Sequence, residues 1–298
     1  MATIFERPRA AALVAAVRLA VTSDIHIDLN GPAVLDALCA RIREVRPDVL
    51  IVAGDIATGA TTFLSTLLAL RPCAPEMLVV AGNHDVWTSQ EAKARGIDSW
   101  TWLDKLLPAL CVEAGAKLLD AGPVKLGNIG FAGSLGWFDF TMREHLLDAP
   151  MDAYRKGLYA GVRWNDHRYA HFPDAQGETL PSETIAALLR DRLSAHLAAL
   201  DCNRVVVATH MLAFDRQVFK KDHPAWRFVN AFMGSLRMGE LLQADRRIEL
   251  AIAGHTHVAS DHRIGKIRAL VSPLGYQKEW RAPTLVGAIY KAVAVVDL

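Results

Sequence analysis

Short runs of branched apolar residues alternate along this sequence with longer amphipathic runs, and this alternation limits the possible fold more than any other feature. Segments with the periodicity of a strand that alternate with segments with the periodicity of a helix are typical of an α/β fold. Helices are predicted over Ala33–Val45, Thr61–Leu70, Ser99–Leu107 and Thr184–Leu200. The predicted strands are Val17–Val21, Val49–Val52, Met77–Val80, Lys117–Leu119, Val124–Leu126, Ile129–Ala132, Val205–Ala208, Leu250–Ala253, Val258–His262 and Lys266–Leu270.

Single residues refine these bounds. Pro32 favours the start of the first helix, because its missing backbone N–H costs nothing at that position. Ser182 is predicted to cap the last helix, and Gly265 to turn a hairpin between the last two strands. No internal repeat or low-complexity linker interrupts the 298 residues, so one domain is predicted over residues 1–298.

The charge balance limits the kind of partner. Thirty-three Lys and Arg residues stand against thirty-two Asp and Glu residues, which gives a formal net charge of +1. Proteins that coat nucleic acid or an anionic membrane normally carry a clear basic excess. No run approaches the roughly 18 apolar residues of a membrane span. The sequence therefore gives no strong nucleic-acid or membrane signal, and it leaves the oligomeric state open.

The cysteines and the N-terminal run bear on the cellular compartment. The cysteines are widely spaced, form no C-x-x-C pair and lie in or beside apolar stretches, which is typical of reduced, buried thiols in a cytoplasmic protein. They are Cys39, Cys73, Cys111 and Cys202. The run Ala10–Val17 faintly resembles a secretory signal, but Glu6 and Pro8 are atypical of one. It is interpreted as an N-terminal extension that leads into the first strand.

The periodicity fades between Trp137 and Pro181, where aromatic, histidine and charged residues are concentrated. A connection of this length within a compact domain is usually functional. Segment 137–181 is therefore predicted to be a lid-like insertion, and the alternative is an insertion that only packs on the surface. Within it, His167 and His171 are expected to be surface residues.

Short polar motifs follow five of the predicted strands. They are Asp24-Ile25-His26, Gly54-Asp55, Gly82-Asn83-His84-Asp85, His210 and Gly254-His255-Thr256-His257. Ligands of α/β sheets bind beyond the carboxyl ends of strands, so these motifs are predicted to meet at one edge. A strand end or a turn explains most of them when each is taken alone. In the last motif, however, two histidines one residue apart project the same way from an extended chain.

The residue types fit two adjacent divalent transition metals. Mixed imidazole and carboxylate ligands suit Mn, Fe, Zn, Ni or Co better than Mg or Ca. A carboxylate can bridge two ions through its two oxygens, and an asparagine carbonyl adds a ligand without adding charge. Such a site attracts phosphate and lowers the pKa of bound water enough to give a nucleophile near neutral pH.

These motifs, in this order, resemble the calcineurin-like metallophosphoesterase superfamily, whose pattern is D-x-H, GD, GNH[D/E], H and GHxH. The resemblance spans nearly the whole chain, and every motif is complete. It implies a four-layer αββα sandwich of two mixed sheets flanked by helices, with a dinuclear metal site at the carboxyl ends of strands. It also implies that the first metal would be held by Asp24, His26 and His257, the second by Asn83, His210 and His255, and both by a bridging Asp55.

The resemblance further implies roles for two residues outside the ligand set. His84 would lie beside the substrate phosphate and either stabilise the transition state or protonate the leaving oxygen. Asp85 would orient the imidazole of His84. The predicted reaction is in-line attack on phosphorus by a hydroxide that bridges the metals, while the metals neutralise developing charge.

Departures from known branches of the superfamily limit the class of substrate that is predicted. Ser/Thr protein phosphatases carry Asp-Arg-Gly shortly after the GD motif, whereas Ile56-Ala57-Thr58-Gly59 follows it here. The arginine that grips a phosphomonoester dianion is therefore absent. The pattern is most similar to small bacterial phosphodiesterases of the class III cyclic-nucleotide type. A small-molecule or nucleotide phosphodiester is predicted as the substrate, and a phosphomonoester is the alternative.

Two roles are open for the aromatic residues Trp137 and Phe138. Trp137 and Phe138 belong to a stretch that resembles the G-x-x-G-W-[YF]-D sequence of a bacterial subset of the superfamily. They are predicted either to wall the pocket and stack a base or an apolar leaving group, or to be core residues where the insertion joins the body. For the whole chain, a non-catalytic metal-binding scaffold is the remaining alternative, and the complete ligand set with His84 argues against it.

Overall fold

Two β-sheets form the centre of the fold in the computed structural model, which describes residues 16–298. The strands are β1 (Arg18–Thr22), β2 (Val49–Ala53), β3 (Glu76–Val80), β4 (Lys117–Leu118), β5 (Val124–Leu126), β6 (Ile129–Ser134), β7 (Leu158–Tyr159), β8 (Val162–Arg163), β9 (Arg204–Thr209), β10 (Ile248–Ala253), β11 (Ser260–Ile264), β12 (Ile267–Val271) and β13 (Ala294–Asp297). The first sheet has the order β13-β1-β2-β3-β4 and the second β11-β12-β10-β9-β6-β5, while β7 and β8 form a separate hairpin.

Both large sheets are mixed, with parallel strands inside and antiparallel strands at edges. Strands β1 to β4 run parallel and β13 pairs antiparallel with β1. In the second sheet β6, β9, β10 and β12 run parallel, and β5 and β11 pair antiparallel with their neighbours. The carboxyl ends of the parallel strands therefore lie along one edge of each sheet.

Helices cover the outer faces of the two sheets. The helices of the described chain, some of which lie in the connecting segments, are α1 (Ile27–Asn30), α2 (Pro32–Val45), α3 (Ala60–Leu70), α4 (Gln90–Ala94), α5 (Ser99–Thr101), α6 (Leu107–Glu113), α7 (Met151–Lys156), α8 (Asp166–Tyr169), α9 (Ser182–Ala199), α10 (Pro224–Asn230), α11 (Leu236–Ala244) and α12 (Leu285–Ala292). Helices α2, α3, α6 and α12 pack together beside the first sheet, and α9 and α11 pack on β6 and β10 of the second.

The sheets face each other across an apolar core. Alternate residues of the first sheet, such as Val21 and Ile51, share one buried cluster with Phe131, Val206 and Ile252 of the second. The intervening residues point outward and pack under the helices, which is why these strands are apolar on both faces. The four-layer αββα sandwich with two mixed sheets is thereby confirmed.

Two local predictions need correction. The predicted helix Ser99–Leu107 is a longer helical stretch that runs to Glu113 and contains a wide π turn at Trp102–Leu106. Pro108 follows that turn, and a proline, which lacks an N–H, cannot complete the regular hydrogen-bond ladder. Ser182 is not the N-cap of α9, because Pro181 occupies that position and no side chain caps the helix.

Other predictions agree with the structure. Pro32 is the first residue of α2, and Gly265 turns the β11–β12 hairpin with a φ of 58°. The four cysteines are free, three of them buried and Cys202 half-buried, and the cytoplasmic location stays a prediction. The prediction for Ala10–Val17 lies, up to residue 15, outside the described residues. Among residues 16–298, no helix combines the length and the apolar character needed to cross a membrane.

Segment 137–181 packs tightly against the body of the protein. Aromatic rings from it are buried with Phe228 and Phe232 in one cluster, and Tyr154 stacks on Phe228 with ring centroids 5.1 Å apart. His167 is exposed and His171 half-buried. The segment thus shares one apolar cluster with the body of the protein, and this packing fixes its polar residues relative to the strand ends.

Candidate metal centre

Both sheets deliver polar side chains to one place. Asp24, Asp55 and Asn83 follow β1, β2 and β3 of the first sheet, whereas His210 and His255 follow β9 and β10 of the second. Backbone hydrogen bonds connect these loops: Asp24 N–H donates to the carbonyl of Gly54 at 2.9 Å, and Gly254 N–H donates to that of His210 at 2.9 Å. The predicted convergence of the five motifs is therefore present.

The backbone of this site is in a rarely adopted conformation. Positive φ angles occur at Asp24 (54°), His26 (42°), Asp55 (53°), His255 (67°) and His257 (53°). Residues other than glycine seldom adopt this region, and such residues cluster at functional sites where the surrounding structure enforces them. The sharp turns let short loops direct side chains back toward the space between the sheets.

One group of potential ligand atoms gathers at the end of β1. Atoms of Asp24, His26, Asp55 and His257 all lie within 4.8 Å of one another. Nε2 of His26 lies 3.0 Å from Nε2 of His257 and 3.5 Å from Oδ2 of Asp55. Oδ1 of Asp24 lies 3.4 Å from Nε2 of His257. Two carboxylates and two imidazoles thus surround one small space.

A second group adjoins the first and shares Asp55 with it. Atoms of Asp55, His210 and His255 lie within 4.8 Å of one another, and Oδ1 of Asp55 is 3.4 Å from Nε2 of His210. Oδ1 of Asn83 joins this group, 2.9 Å from Nε2 of His210 and 3.0 Å from Nδ1 of His255. Asp55 presents one oxygen to each group: Oδ1 faces His210, and Oδ2 faces His26.

Backbone carbonyls fix which imidazole nitrogens face the second group. Nδ1–H of His210 donates to the carbonyl of Ala53 at 2.9 Å, and Nε2–H of His255 donates to that of Phe232 at 3.2 Å. In the neutral imidazoles, the other nitrogens then turn lone pairs toward Oδ1 of Asn83. As long as both imidazoles are neutral, the converging atoms of His210, His255 and Asn83 are all acceptors, and such a set fits a metal cation.

The pKa shifts of Asp55 and His210 show that the buried Asp55 carboxylate is stabilised by nearby positive charge. Burial alone would raise the pKa of Asp55, but the imidazoles of His210, His84 and His26 outweigh it and lower the pKa well below its usual range. Burial lowers the pKa of His210, yet Asp55 outweighs that effect and raises it to about 9. A divalent ion would supply such positive charge by displacing that proton.

His84 lies at the edge of the two groups and belongs to neither. Its Nε2 is 4.0 Å from Oδ2 of Asp55, and 15% of its side chain is exposed. The ring stacks on the indole of Trp87 with centroids 3.7 Å apart and an interplanar angle of 26°. This stacking holds the imidazole beside the metal centre and open to the cavity.

Asp85 occupies a different place from the predicted one. Its carboxylate accepts hydrogen bonds from the backbone N–H groups of Ile56, Ala57 and Gly82, at 2.8 to 3.0 Å, and not from the imidazole of His84. These bonds tie the loop after β2 to the loop after β3. Asp85 therefore positions Asp55 and Asn83 through their backbones, because both belong to these loops.

A cavity of about 900 Å³ opens in front of the metal centre. Asp55, Asn83, His84, His255 and His257 lie at its base. Aromatic and aliphatic side chains form the walls, and cationic side chains stand among the lining residues. The aromatic residues are Trp87, Trp164, Phe219, Trp226, Tyr276 and Trp280, and the cations are Arg163, Lys221, Arg281 and Lys291.

Trp137 and Phe138 do not line this cavity. Their exposed fractions are 3% and 1%, and they stack on each other with centroids 5.0 Å apart. Both border a smaller cavity of about 300 Å³ beneath segment 137–181. Their position matches the core alternative. Of the wall residues, Trp164 was expected only as part of the aromatic-rich segment 137–181. Trp280 was not predicted, because a lone tryptophan in a loop carries no sequence signal for a pocket.

Comparison with known proteins agrees with this geometry. The model of the calcineurin-like phosphoesterase family matches residues 17–259, and the chain belongs to that family. Its members are metallophosphoesterases, so the Asp/His cluster is a dinuclear site for divalent metals in a hydrolase of phosphoester bonds. A comparison with the sequences of curated proteins finds no match.

Several solved structures are similar in fold. The structure of a phosphopantetheinyl hydrolase from Mycobacterium tuberculosis has a TM-score of 0.72 at 17% identity, covering 95% of this chain and 96% of that one. A dimetal phosphatase from Danio rerio has a TM-score of 0.50 at 15% identity, with 95% and 93% covered. The protein TT1561 of Thermus thermophilus also has a TM-score of 0.50, at 12% identity, with 95% and 99% covered. At these identities the likeness concerns the fold.

Proposed function

We propose that this protein hydrolyses a phosphodiester bond in a small organic or nucleotide-like molecule. One observation carries the proposal: Asp55 belongs to both ligand groups, with Oδ2 3.5 Å from Nε2 of His26 and Oδ1 3.4 Å from Nε2 of His210. A carboxylate shared in this way holds two cations side by side, and two-metal sites clamp the attacking and leaving oxygens of phosphoester hydrolysis.

The proposed ligands divide between the two ions, with Asp55 common to both. Asp24, His26 and His257 would hold the first ion, and Asn83, His210 and His255 the second. When bound, the ions would supply an acidified water as nucleophile and neutralise charge on the phosphate. The mixed nitrogen and oxygen donors favour Mn, Fe, Zn, Ni or Co.

We assign His84 to the leaving group. Its imidazole faces the cavity, lies 4.0 Å from the shared carboxylate and is held by stacking on Trp87. A histidine in this place can donate a proton to the departing alkoxide, which a phosphodiester needs when its leaving group is a poor one.

The cavity supports an extended phosphodiester substrate. A volume of about 900 Å³ far exceeds a phosphate group, and the aromatic walls suit a flat or apolar substituent. Exposed cations such as Arg163, Lys221 and Arg281 favour a substrate that carries negative charge beyond the scissile phosphate. We propose that segment 137–181 forms one wall of this site, through Trp164.

The proposal is tested by hydrolysis of bis(p-nitrophenyl) phosphate and of p-nitrophenyl phosphate, with Mn, Fe, Ni or Zn added to the metal-stripped protein. We expect metal-dependent hydrolysis with kcat/KM higher for the diester, and loss of it in Asp55→Asn. A strong preference for the monoester would overturn the diesterase assignment and leave the metal site standing. No hydrolysis of either ester with any metal would favour the scaffold alternative.

Phosphopantetheinyl esters belong in a second panel of substrates, beside cyclic and linear nucleotide diesters. The fold is shared with a protein whose name is phosphopantetheinyl hydrolase, and a long phosphate-bearing arm is of a size that the cavity accepts. Competition against bis(p-nitrophenyl) phosphate ranks the panel. The compound with the lowest inhibition constant that is also hydrolysed identifies the substrate class.

A further inference from the structure

Asp166, which lies on segment 137–181, reaches the metal centre from outside the five motifs. Its side chain is buried, with 2% of the residue exposed, and its carboxylate accepts three hydrogen bonds from side chains. Asn83 Nδ2 donates to Oδ1 at 2.9 Å, Trp87 Nε1 donates to Oδ1 at 2.7 Å, and Trp164 Nε1 donates to Oδ2 at 2.8 Å. Three donors satisfy both oxygens of this buried carboxylate.

The bond from Asn83 decides how its amide points. A carboxylate only accepts, so the amide must turn Nδ2 toward Asp166 and Oδ1 away from it. Turned this way, Oδ1 lies 2.9 Å from Nε2 of His210 and 3.0 Å from Nδ1 of His255, in the second ligand group. Without that acceptor, the amide could rotate and present its N–H groups, which repel a cation, to the metal.

The bond from Trp87 connects the same carboxylate to His84. The indole N–H is anchored on Oδ1 of Asp166, and the indole face stacks on the imidazole of His84 at 3.7 Å. One oxygen therefore sets both the amide that faces the second metal and the ring that supports His84. Since it comes from the insertion, the position of the insertion is coupled to the geometry of both.

We propose that Asp166 is a positioning residue of the active site, which orients the Asn83 amide toward the second metal and holds Trp87 under His84. This inference rests on the proposed metal-dependent hydrolysis, and it adds a residue that orients one metal ligand and supports His84. The five motifs provide the proposed metal ligands. Asp166 orients one of them, Asn83, although it lies on a segment that contains none of the motifs.

The test compares Asp166→Ala and Asp166→Asn with Asp139→Asn. Asp139 is also buried and also on the segment, but it bonds to Thr141 and Ser235, away from the metals. Binding of Mn²⁺ to the metal-stripped proteins is followed by calorimetry, together with kcat and KM for bis(p-nitrophenyl) phosphate and the thermal unfolding temperature of the metal-free chains.

We expect Asp166→Ala to weaken one of the two Mn²⁺ sites by roughly 10- to 100-fold while the other keeps its affinity. kcat should fall more than KM rises, because Asp166→Ala leaves most of the residues that line the cavity unchanged. Asp166→Asn keeps an oxygen that can accept from Asn83, so it should restore part of the lost affinity. Asp139→Asn should lower the unfolding temperature without changing the affinity of either site.

The outcomes separate this inference from the proposed function. Two Mn²⁺ sites of unchanged affinity in Asp166→Ala would overturn the positioning role, even if the wild-type protein hydrolyses the diester. Equal weakening of both sites in Asp166→Ala and in Asp139→Asn would also overturn it, because it would indicate a general loss of packing. If the wild type hydrolyses no ester but the selective weakening is found, the positioning role stands and the proposed function fails.

Discussion

Oε2 of Glu279 lies 2.7 Å from Nδ1 of His257, on the far side of the imidazole from the metal centre. The opposite nitrogen, Nε2, is 3.4 Å from Oδ1 of Asp24. Glu279 therefore fixes the ring orientation and makes Nε2 more basic, which is what a carboxylate behind a ligand imidazole does in metal sites. Glu279 thus contacts a residue of the first ligand group, as Asp166 contacts one of the second.

The first prediction concerns this carboxylate. Glu279→Ala should weaken the first metal site by about 10- to 100-fold, because the imidazole of His257 loses its fixed tautomer and orientation. Glu279→Gln keeps an acceptor and should lose less. Calorimetric titration with Mn²⁺ measures the effect, with Glu76→Gln, an exposed partner of Lys117, as the control. Unchanged affinity in Glu279→Ala would contradict the prediction.

The second prediction separates catalysis from metal binding at His84. His84→Ala should lower kcat by about 10²- to 10⁴-fold, because the leaving oxygen loses its proton donor, while bound metal per chain stays at the wild-type value. Steady-state kinetics and elemental analysis measure the two quantities. His145→Ala, at an exposed position, controls for general effects. A collapse in metal content would show that His84 acts as a ligand.

The sequence was sufficient to predict that the site residues at the ends of strands come together. Asp55 and His210 each follow a buried strand, and parallel strands that end at one edge bring such residues together. The alternation of apolar and amphipathic runs likewise predicted the α/β fold, whereas the two mixed sheets were implied by the resemblance of the five motifs to the superfamily. It could not predict the π turn, because that turn depends on how Pro108 is accommodated within a packed helix.

The supporting residues could not be predicted in the same way. Asp166 begins a short helix just after the small β7–β8 hairpin, and Glu279 ends a short 3-10 helix (Gln277–Glu279). Neither comes at the end of a strand of the two large sheets, and only tertiary packing brings them to Asn83 and His257. Asp85 was expected to orient the imidazole of His84, yet its carboxylate accepts from backbone N–H groups of the loops after β2 and β3. Contacts between loops are set by three-dimensional distances that a linear pattern does not contain.

The third prediction uses the close packing of the two strand-end loops. A Cβ at Gly82 would overlap the backbone nitrogen and Oδ1 of Asp55, whereas a Cβ at Gly122 would meet no atom within 4 Å. Gly82→Ala should therefore displace the shared carboxylate and cost on the order of 10²-fold in kcat/KM. Gly122→Ala should stay within about 0.5 kcal/mol of the wild-type stability and keep full activity. Equal activity of the two variants would refute this packing argument.

The fourth prediction concerns a buried carboxylate that joins the two sheets. Asp120, with 2% of the residue exposed, accepts hydrogen bonds from the backbone N–H of Ala81, after β3, and from that of Leu135, after β6. Asp120→Asn replaces one acceptor by an amide N–H₂ that faces a backbone N–H. We expect a loss of about 1–3 kcal/mol in the free energy of unfolding at pH 7, measured by urea denaturation.

The pH dependence of stability gives an independent check on Asp120. Burial raises the pKa of its carboxyl from the usual 3.8 to about 6. Between about pH 4 and pH 6 the folded protein then keeps a proton that the unfolded chain has released, so this group makes stability fall as pH rises through that window. Asp120→Asn should remove this contribution, whereas Asp48→Asn, at an exposed carboxylate that also accepts from a backbone N–H, should retain it. A slope in Asp120→Asn equal to that of the wild type would mean that Asp120 is not the group that titrates.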